Sequence, residues 1–345
     1  MTDLTRPSTQ VRARLLDVAK AAGVSIVTVS RAMNAPASVS AKTHDRIEAA
    51  MRAVDYVPDL AARSLAKQRS GIVAAFVPNL LDPIFIDMIR GLESVFGAQG
   101  IHLLIGGSGY DLEREEAIVV AALGRRLDGL ILTGTSHTDR LRRLVAGSGT
   151  PVIETWDILG QAIDRAVGYD QRAAGFALTR HLIDSGYRRI GYVGRPVRGN
   201  GRATAKRDGF VAALENAGRH ADPALMLECE TTMSAGLMAL EKLHEGAGAD
   251  AIVFSGDAIA AGTCLACLNR GVRVPEDLAL CGFGDYEIAR LLPGGLTTIS
   301  ADSAGIGALA AQAILDIVAG KSPQWKTLDT GFELIVRGST RQHDT

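Results

Sequence analysis

Short runs of β-branched and other apolar residues alternate with helical stretches throughout the chain after residue 70. The first of these runs are GIVAAFVP, HLLIGG, DGLILTG and PVIE, and a segment of helical periodicity follows each of the first three. Strands that are separated by helices form parallel sheets covered by helices on both faces. The pattern restarts at RRIGYVG and continues through AIVFSGD and LALCGFGD. We therefore predict an α/β core of two doubly wound parallel-sheet subdomains rather than one very large sheet.

The first 70 residues are helical instead. Apolar residues recur at helical spacing from Leu15 to Ala22, Gly23 ends that run, and Ser25 and Ser40 can each cap a further helix. This pattern predicts a separate all-α head.

The charges are divided unevenly between the head and the rest of the chain. Residues 1–70 hold 11 Lys and Arg against 6 Asp and Glu, whereas the remainder holds 26 against 32. A basic head on an acidic body favours a polyanionic partner. The 345-residue sequence has no run of about 18 apolar residues and no signal-peptide pattern, so we expect a cytoplasmic protein without a membrane partner.

The stretch GVSIVTVSRAMN, residues 23–34, predicts a helix with two different sides. A projection at 100° per residue gives an apolar side that can pack on the first helix: Val29, Ala32 and Met33. The opposite side combines an apolar tip, a guanidinium and an amide: Val27, Arg31 and Asn34.

Two short helices joined by a tight glycine turn form a helix-turn-helix, whose second helix enters the major groove of DNA. Arg31 can bond guanine, while Ile26 and Val27 can contact thymine methyl groups. Three hydroxyl side chains suit phosphate oxygens: Ser25, Thr28 and Ser30. The alternative is a three-helix surface bundle in which the exposed Val27 has no function.

Four segments resemble the lactose/galactose-repressor (LacI/GalR) family of bacterial transcription regulators, and the likeness extends from about Leu15 to Gly338. They are LLDVAKAAGVSIVTVSRAMN, VSAKTHDRIEAAMRAVDYVPDLAARSLA, VPEDLALCGFGD and LTTIS. The order of TSHT, PVIE and IDRAVGYD is most similar to the gluconate-operon repressors. The resemblance implies a homodimer that binds a palindromic operator. It also implies a core like that of periplasmic sugar-binding proteins, with a small effector between its subdomains.

The resemblance also implies roles for individual residues of the head. Ile26, Val27 and Arg31 match base-reading positions. Thr28, Ser30 and Asn34 match backbone or turn positions. The segment 59–66 matches a hinge helix whose minor-groove contacts are Ala62 and Leu65, and a leucine wedge there would kink the operator. A plain linker is the alternative for this segment.

These observations predict a division of the chain into four parts. They are a helix-turn-helix domain at 12–57, a hinge helix and linker at 58–70, a first core subdomain at 71–170 plus 301–328, and a second at 171–300 plus 329–340.

In the core, two glycines depart from the family pattern. Gly256 stands where many relatives have Asn, and Gly284 stands where many sugar-binding relatives have Asp. Both changes remove groups that hold neutral sugar hydroxyls, so we expect an anionic effector. The basic stretch GRPVRGNGRATAKRDGF supplies Arg202 and also Arg207, which matches the family's ligand-binding arginine. A solvated run of charges is the alternative for this stretch.

Five further residues are candidate effector contacts. Asp257 opens a helix after a strand and matches an effector-contacting acid, and Phe85 matches an apolar wall residue. His137, Glu154 and Trp156 lie at strand ends that we expect to face the same cleft, although structural roles are equally compatible with these residue types.

The sequence therefore predicts a DNA-binding transcription regulator, acting as a repressor, whose effector is a sugar acid such as gluconate or a phosphorylated relative. A sugar- or sugar-acid-binding protein without DNA function is the alternative. We expect no enzyme activity, cofactor or metal, because the sequence has no nucleophile and base pair, no phosphate-loop lysine and no ligand cluster besides the isolated Cys264 and Cys267.

Overall fold

The computed structural model describes residues 13–35, 38–57 and 69–341 of the chain. The chain divides into two compact units, the smaller ending at Ser70 and the larger beginning at Gly71.

The smaller unit contains three helices within its described residues. They are α1 (Leu15–Ala22), α2 (Ile26–Asn34) and α3 (Ala41–Ala53). Gly23 adopts a left-handed φ of 61° after α1, and the Ser25 hydroxyl then accepts a hydrogen bond from the Thr28 N–H at 3.1 Å. Both the glycine stop and the serine cap are as the sequence predicts. At the start of α1, the Asp17 carboxylate accepts from the backbone N–H of the N-cap residue Arg14 at 2.8 Å.

The larger unit alternates strands and helices. Its described strands, in chain order, are β1 (Ile72–Val77), β2 (His102–Gly107), β3 (Gly129–Thr133), β4 (Val152–Asp157), β5 (Arg165–Tyr169), β6 (Ile190–Gly194), β7 (Met226–Glu228), β8 (Ala251–Phe254), β9 (Ala279–Phe283), β10 (Thr297–Ser300), β11 (Thr327–Asp329) and β12 (Glu333–Ile335). Its described α-helices are α4 (Pro83–Gly97), α5 (Leu112–Leu123), α6 (Asp139–Ser148), α7 (Gln171–Asp184), α8 (Gly201–Asn216), α9 (Gly236–Ala239), α10 (Asp257–Arg270), α11 (Glu287–Leu291) and α12 (Ser303–Val318). A π-helical segment, Leu240–Gly246, continues α9.

The strands form two six-stranded sheets. The first has the order β11-β5-β4-β3-β1-β2 and the second has the order β12-β10-β9-β8-β6-β7. Every strand pair is parallel except that of β10 and β12. The prediction of two doubly wound parallel sheets is therefore confirmed. Each sheet has a point where the strand order reverses, between β1 and β3 in the first and between β6 and β8 in the second, and such points are where ligands bind in α/β folds.

Two glycines bring helices α7 and α8 into close contact. A Cβ on Gly175 would lie 2.4 Å from the Lys206 carbonyl oxygen, and a Cβ on Gly209 would lie 2.1 Å from the Arg172 carbonyl oxygen. Backbone therefore packs directly on backbone at this crossing. The contact fixes the position of α8, which carries several of the charged residues described below.

Within the described ranges, no helix has both the length and the apolar character that a membrane span requires.

Candidate functional site

Helix α2 presents an apolar surface away from the packed side of its bundle. Val27 is 60% exposed and Ile26 is 43% exposed, and Arg31 is exposed beside them. Val29 and Ala32 are buried against α1 and α3, as the helical projection predicts. Removing exposed valine and isoleucine side chains from water lowers the free energy of a complex. This face is therefore suited to binding a partner.

The hydroxyl groups of this helix start already take part in its cap. The Ser25 and Thr28 hydroxyl oxygens are 2.8 Å apart, and Ser30 is partly buried. Asn34 is the last residue of α2, but its side chain is outside the described part of the structure. The predicted hinge contacts Ala62 and Leu65 also lie outside the described residues.

A cavity of about 190 Å³ lies at the carboxyl ends of strands from both sheets of the larger unit. Loops that follow β1, β2, β6, β8 and β9 all contribute to its wall. Its polar and aromatic lining includes Asn79, Asp82, Tyr110, Trp156, Tyr169, Arg195, Asn200, Arg202, Lys206, Ser255 and Tyr286. Because pockets for drug-sized molecules are about 300–1,000 Å³, this cavity suits a small metabolite.

Cations outnumber carboxylates on the cavity wall. Arg195, Arg202 and Lys206 line it, whereas Asp82 is the single acidic residue among its described lining residues. Arg195 is paired with Glu230 and lies over the Tyr110 ring at 4.1 Å. No carboxylate of the described residues lies within ion-pair distance of Arg202. Its guanidinium is 5.3 Å from the centre of the Phe85 ring and interacts with the Tyr110 hydroxyl, and because neither group is an anion the charge of Arg202 stays available to a ligand.

Lys206 extends from α8 into the cavity one turn after Arg202. Its Nζ donates a hydrogen bond to the Ser255 carbonyl oxygen at 3.0 Å and lies 4.3 Å from the centre of the Phe283 ring. Burial, reinforced by the positive charge of Arg202, lowers the pKa of Lys206 to about 7. A bound anion would counter both effects and favour the charged amine.

His137 and Glu154 form a buried polar cluster with Glu115 instead of facing the cavity. The His137 Nδ1 is 2.7 Å from a Glu115 oxygen and its Nε2 is 3.1 Å from a Glu154 oxygen. The prediction that these two side chains face the cleft is wrong, because neither is exposed to it and both are bonded to protein groups. Burial alone would lower the pKa of His137, but the hydrogen bonds to Glu115 and Glu154 outweigh it and raise the pKa to about 9.

Arg207 does not line the cavity either. It is partly exposed and lies near Asp208 and Glu228, at 3.6 and 3.9 Å. Each residue of a helix is turned by 100° from the one before, so the residue that follows Lys206 points to a different side of α8. Lys206, one residue before the predicted contact Arg207, faces the cavity instead.

Asp257 and Phe85 support the cavity from behind its surface. Asp257 is fully buried, accepts from the Thr298 hydroxyl at 2.6 Å, and accepts from the Tyr286 N–H at 2.8 Å. Burial raises its pKa to about 7. Phe85 is also fully buried and packs edge-on against Trp156, with ring centres 5.8 Å apart. Of the seven predicted effector contacts, Trp156 and Arg202 line the cavity.

Sequence reasoning did not single out most of the lining residues as effector contacts, and three of these share one position relative to a strand. Asp82 follows β1, Tyr110 follows β2 and Tyr286 follows β9, each within a few residues of the carboxyl end of its strand. The rule that ligands bind at these ends could have identified all three once the strand order was known.

A helix-turn-helix head with an exposed apolar and basic face, together with a cavity between two parallel sheets, defines a class of protein: a DNA-binding regulator with an effector-binding core. Two family descriptions match the chain. Residues 14–59 match the bacterial regulatory proteins of the lacI family, and residues 179–340 match the periplasmic binding protein-like domain.

Similar proteins of known sequence and structure cover almost the whole chain. The HTH-type transcriptional regulator GntR of Pseudomonas aeruginosa is 35% identical over 332 residues, which span 95% of this chain and 96% of the relative. GntR of Escherichia coli is 31% identical and spans 94% of this chain and 98% of its own. The crystal structure of a LacI family regulator from Silicibacter pomeroyi has a TM-score of 0.89 at 29% identity, covering 95% of this chain and 99% of that one. The chain therefore belongs to the lacI family of bacterial regulatory proteins and is a DNA-binding transcription regulator with an effector-binding core.

Proposed function

We propose that this regulator is a cytoplasmic repressor whose affinity for its operator is controlled by a small sugar acid, such as gluconate or a phosphorylated relative, bound in the core cavity. The observation that carries the proposal is the charge of the cavity wall. Three cationic side chains line it against one carboxylate among the described lining residues. A neutral sugar would leave at least one of these cations desolvated without a partner, which is costly.

Arg202 is the best placed of the three cations to bind a carboxylate. Arg195 already has Glu230, and Lys206 already donates to a backbone carbonyl. A guanidinium can bind a carboxylate through two parallel hydrogen bonds. Arg202 also lies in the first turn of α8, where the helix dipole favours negative charge.

The remainder of the wall is suited to the hydroxylated carbon chain of a sugar acid. Asn79, Tyr110 and Ser255 supply groups that can donate or accept hydrogen bonds, and Asp82 can accept from a hydroxyl. Trp156 provides an apolar surface for the carbons. Gly256 and Gly284 also line the cavity, but they have no side chain that could bond a ligand hydroxyl.

For DNA, we propose that Ile26 and Val27 contact thymine methyl groups and that Arg31 bonds a guanine. Their exposure on one face of α2 supports this assignment. The hydroxyl groups of Ser25, Thr28 and Ser30 are assigned to phosphate positioning. The same proposal includes a homodimer bound to a palindromic operator. Its DNA-binding parts are 12–57 and 58–70. Its core subdomains are 71–170 plus 301–328 and 171–300 plus 329–340.

The experiment that tests this function measures ligand binding and DNA binding on the same full-length protein. Calorimetry with gluconate, 6-phosphogluconate and glucose should give binding for at least one acid and none for glucose. Gel shifts on the promoter region beside the gene should then change with that acid. Binding of glucose alone would contradict the sugar-acid assignment, and ligand binding without any DNA shift would favour a binding protein without DNA function.

A further inference from the structure

A tyrosine and an aspartate form a hydrogen bond across the cavity. The Tyr286 hydroxyl donates to the Asp82 Oδ1 at 2.5 Å. Asp82 is the N-cap of α4, after strand β1 of the first sheet, and Tyr286 follows strand β9 of the second sheet. The bond therefore joins the two halves of the core directly, beside the space that the effector would occupy.

The ring of Tyr286 occupies space that a side chain at position 284 would need. Gly284 has a φ of 124°, and a Cβ built on it would lie 2.2 Å from the Tyr286 Cε1. A residue other than glycine at position 284 would both strain the backbone and displace the ring. The absence of a side chain at position 284 therefore leaves the space that the Tyr286 ring occupies.

Hydrogen bonds that involve backbone N–H groups attach each partner to its own half of the core. The backbone N–H of Tyr286 donates to Asp257, which also accepts from Thr298 in β10. The Oδ1 of Asp82 also accepts from the Ile84 N–H at the start of α4, at 3.4 Å. Because the Tyr286 backbone is attached to the second half and the Asp82 carboxylate caps a helix of the first, the bond between them forms when the two halves are close together.

The phenol remains a hydrogen-bond donor at physiological pH. Burial, with the negative charge of Asp82, raises the pKa of Tyr286 well above its ordinary value. A hydrogen bond from a neutral phenol to a carboxylate is among the stronger protein hydrogen bonds.

We propose that Tyr286 is a cleft-closing residue, which stabilises the closed form of the core by bonding Asp82 and so raises effector affinity without having to touch the effector. Domain closure around a ligand is an equilibrium, and ligand affinity scales with the population of the binding-competent form. The part of this proposal that concerns the effector rests on the proposed function, but closure itself can be measured without any ligand.

The ligand-free test uses Trp156 as a reporter, because this residue lines the cavity and is only 2% exposed in the closed core. In a Trp325→Phe background, Trp156 is the remaining tryptophan of the chain. Tyr286→Phe removes the bridging hydroxyl and keeps the ring. Tyr187→Phe is the matched control, because its hydroxyl accepts from the Arg341 N–H and does not line the cavity.

Acrylamide quenching of Trp156 should increase at least twofold in Tyr286→Phe and stay at the parent value in Tyr187→Phe. Asp82→Asn, which keeps a capping oxygen, should give a smaller increase and add little to Tyr286→Phe in the double variant, since both changes weaken one bond. Equal quenching in Tyr286→Phe and its parent would overturn the proposal, as would an equal increase in Tyr187→Phe.

Gluconate titration of the same variants adds the effector arm. Loss of a hydrogen bond to a charged group predicts affinity about tenfold lower in Tyr286→Phe than in its parent. A parent that does not bind gluconate would count against the proposed function and leave the quenching result to decide the role of Tyr286. A loss of gluconate affinity without any change in quenching would overturn cleft closure and make Tyr286 a direct ligand contact.

Discussion

The exposed face of α2 and the cavity of the core both carry cations, but they are built in different ways. The α2 face comes from residues within one turn or two of a single helix, and Val27 is 60% exposed on it. The cavity wall comes from loops of both sheets, and its charged and polar residues are distant in sequence, from Asn79 to Ser303.

Because of this difference, the charged residues on α2 and those around the cavity have different kinds of binding partner. On α2, Arg31 and its exposed neighbours are accessible to a partner molecule. Around the cavity, some charges already have partners within the protein, as Glu154 and Arg195 do, and others are left to a ligand. A charged residue near a pocket is therefore weaker support for ligand binding than an exposed charge on a helix that is otherwise packed.

The largest expected effect is on stability and concerns a charged residue that is bonded within the protein rather than facing the ligand. His137→Ala should lower the free energy of unfolding of the core by about 3–5 kcal/mol, because it leaves Glu115 and Glu154 buried without their shared partner. Denaturant unfolding measures this. Effector affinity of the folded fraction should stay close to the parent value, and a normal stability with lost effector binding would instead place His137 in the site.

The pH dependence of stability is the control for this cluster. The pKa of His137 is raised from 6.5 to about 9 in the folded protein, so its contribution to stability is complete below about pH 6.5 and is lost as pH rises through 9. This loss between pH 7 and 9 should be absent in His137→Ala.

Arg202→Ala should weaken sugar-acid binding by about 1.5–3 kcal/mol, because it removes charge-assisted hydrogen bonds to the ligand carboxylate. Arg207→Ala is a matched control on the same helix, since Arg207 lies near Asp208 and Glu228 outside the cavity. Calorimetry on both variants checks the prediction. Equal losses in the two variants would remove the distinction between cavity and surface charges.

Arg31→Ala should weaken operator binding by about 1–3 kcal/mol and relax the preference for guanine at one position of each half-site. Fluorescence anisotropy with operator variants measures both effects. A loss of the same size on every DNA sequence would mean that Arg31 contacts only phosphates.

The reasons why the fold and the α2 face could be predicted from sequence are local. Gly23, Ser25 and the spacing of Val29 and Ala32 encode a turn, a cap and a packed side within a few residues. Likewise, strands buried along their whole length, such as β3, indicate a covered parallel sheet.

The cavity could not be predicted to the same depth because it depends on contacts between distant residues. The sequence places His137 after a strand end, but only the structure shows Glu115 of α5 bonding its Nδ1. A one-residue difference in helix register separates Lys206, in the cavity, from Arg207, outside it. The bridge from Tyr286 to Asp82 joins residues 204 positions apart.

Effector affinity should depend on pH through Lys206, whose pKa of about 7 reflects burial and the charge of Arg202. The neighbouring charges of Asp82, Asp257 and Arg195 also act on this amine. Because an anion favours the protonated amine, affinity should fall by up to about tenfold per pH unit above 7. The Lys206→Met variant should bind the effector more weakly than the parent at pH 6, and its effector affinity should no longer change with pH in this range. An unchanged slope of affinity against pH would assign the pH dependence to another group.

Val27→Ala should have the smallest effect, a loss of about 1 kcal/mol in operator binding with a relaxed preference for thymine at one base pair. Competition with operators that carry uracil in place of thymine checks it, because uracil lacks the methyl group. If Val27 contacts that methyl, the variant and the parent should bind the uracil operator with similar affinity. A loss of equal size on the thymine and uracil operators would show that Val27 contacts another group.

The most direct test of effector control is operator binding by the full chain, followed by anisotropy, with and without gluconate and 6-phosphogluconate, and with glucose as the neutral control. At least one acid should change the dissociation constant for the operator by about fivefold or more, a typical coupling between two sites, and glucose should not. Arg202→Ala should bind the operator normally and lose this response. An operator affinity that neither acid changes, or that glucose changes equally, would contradict control by a sugar acid bound in the cavity.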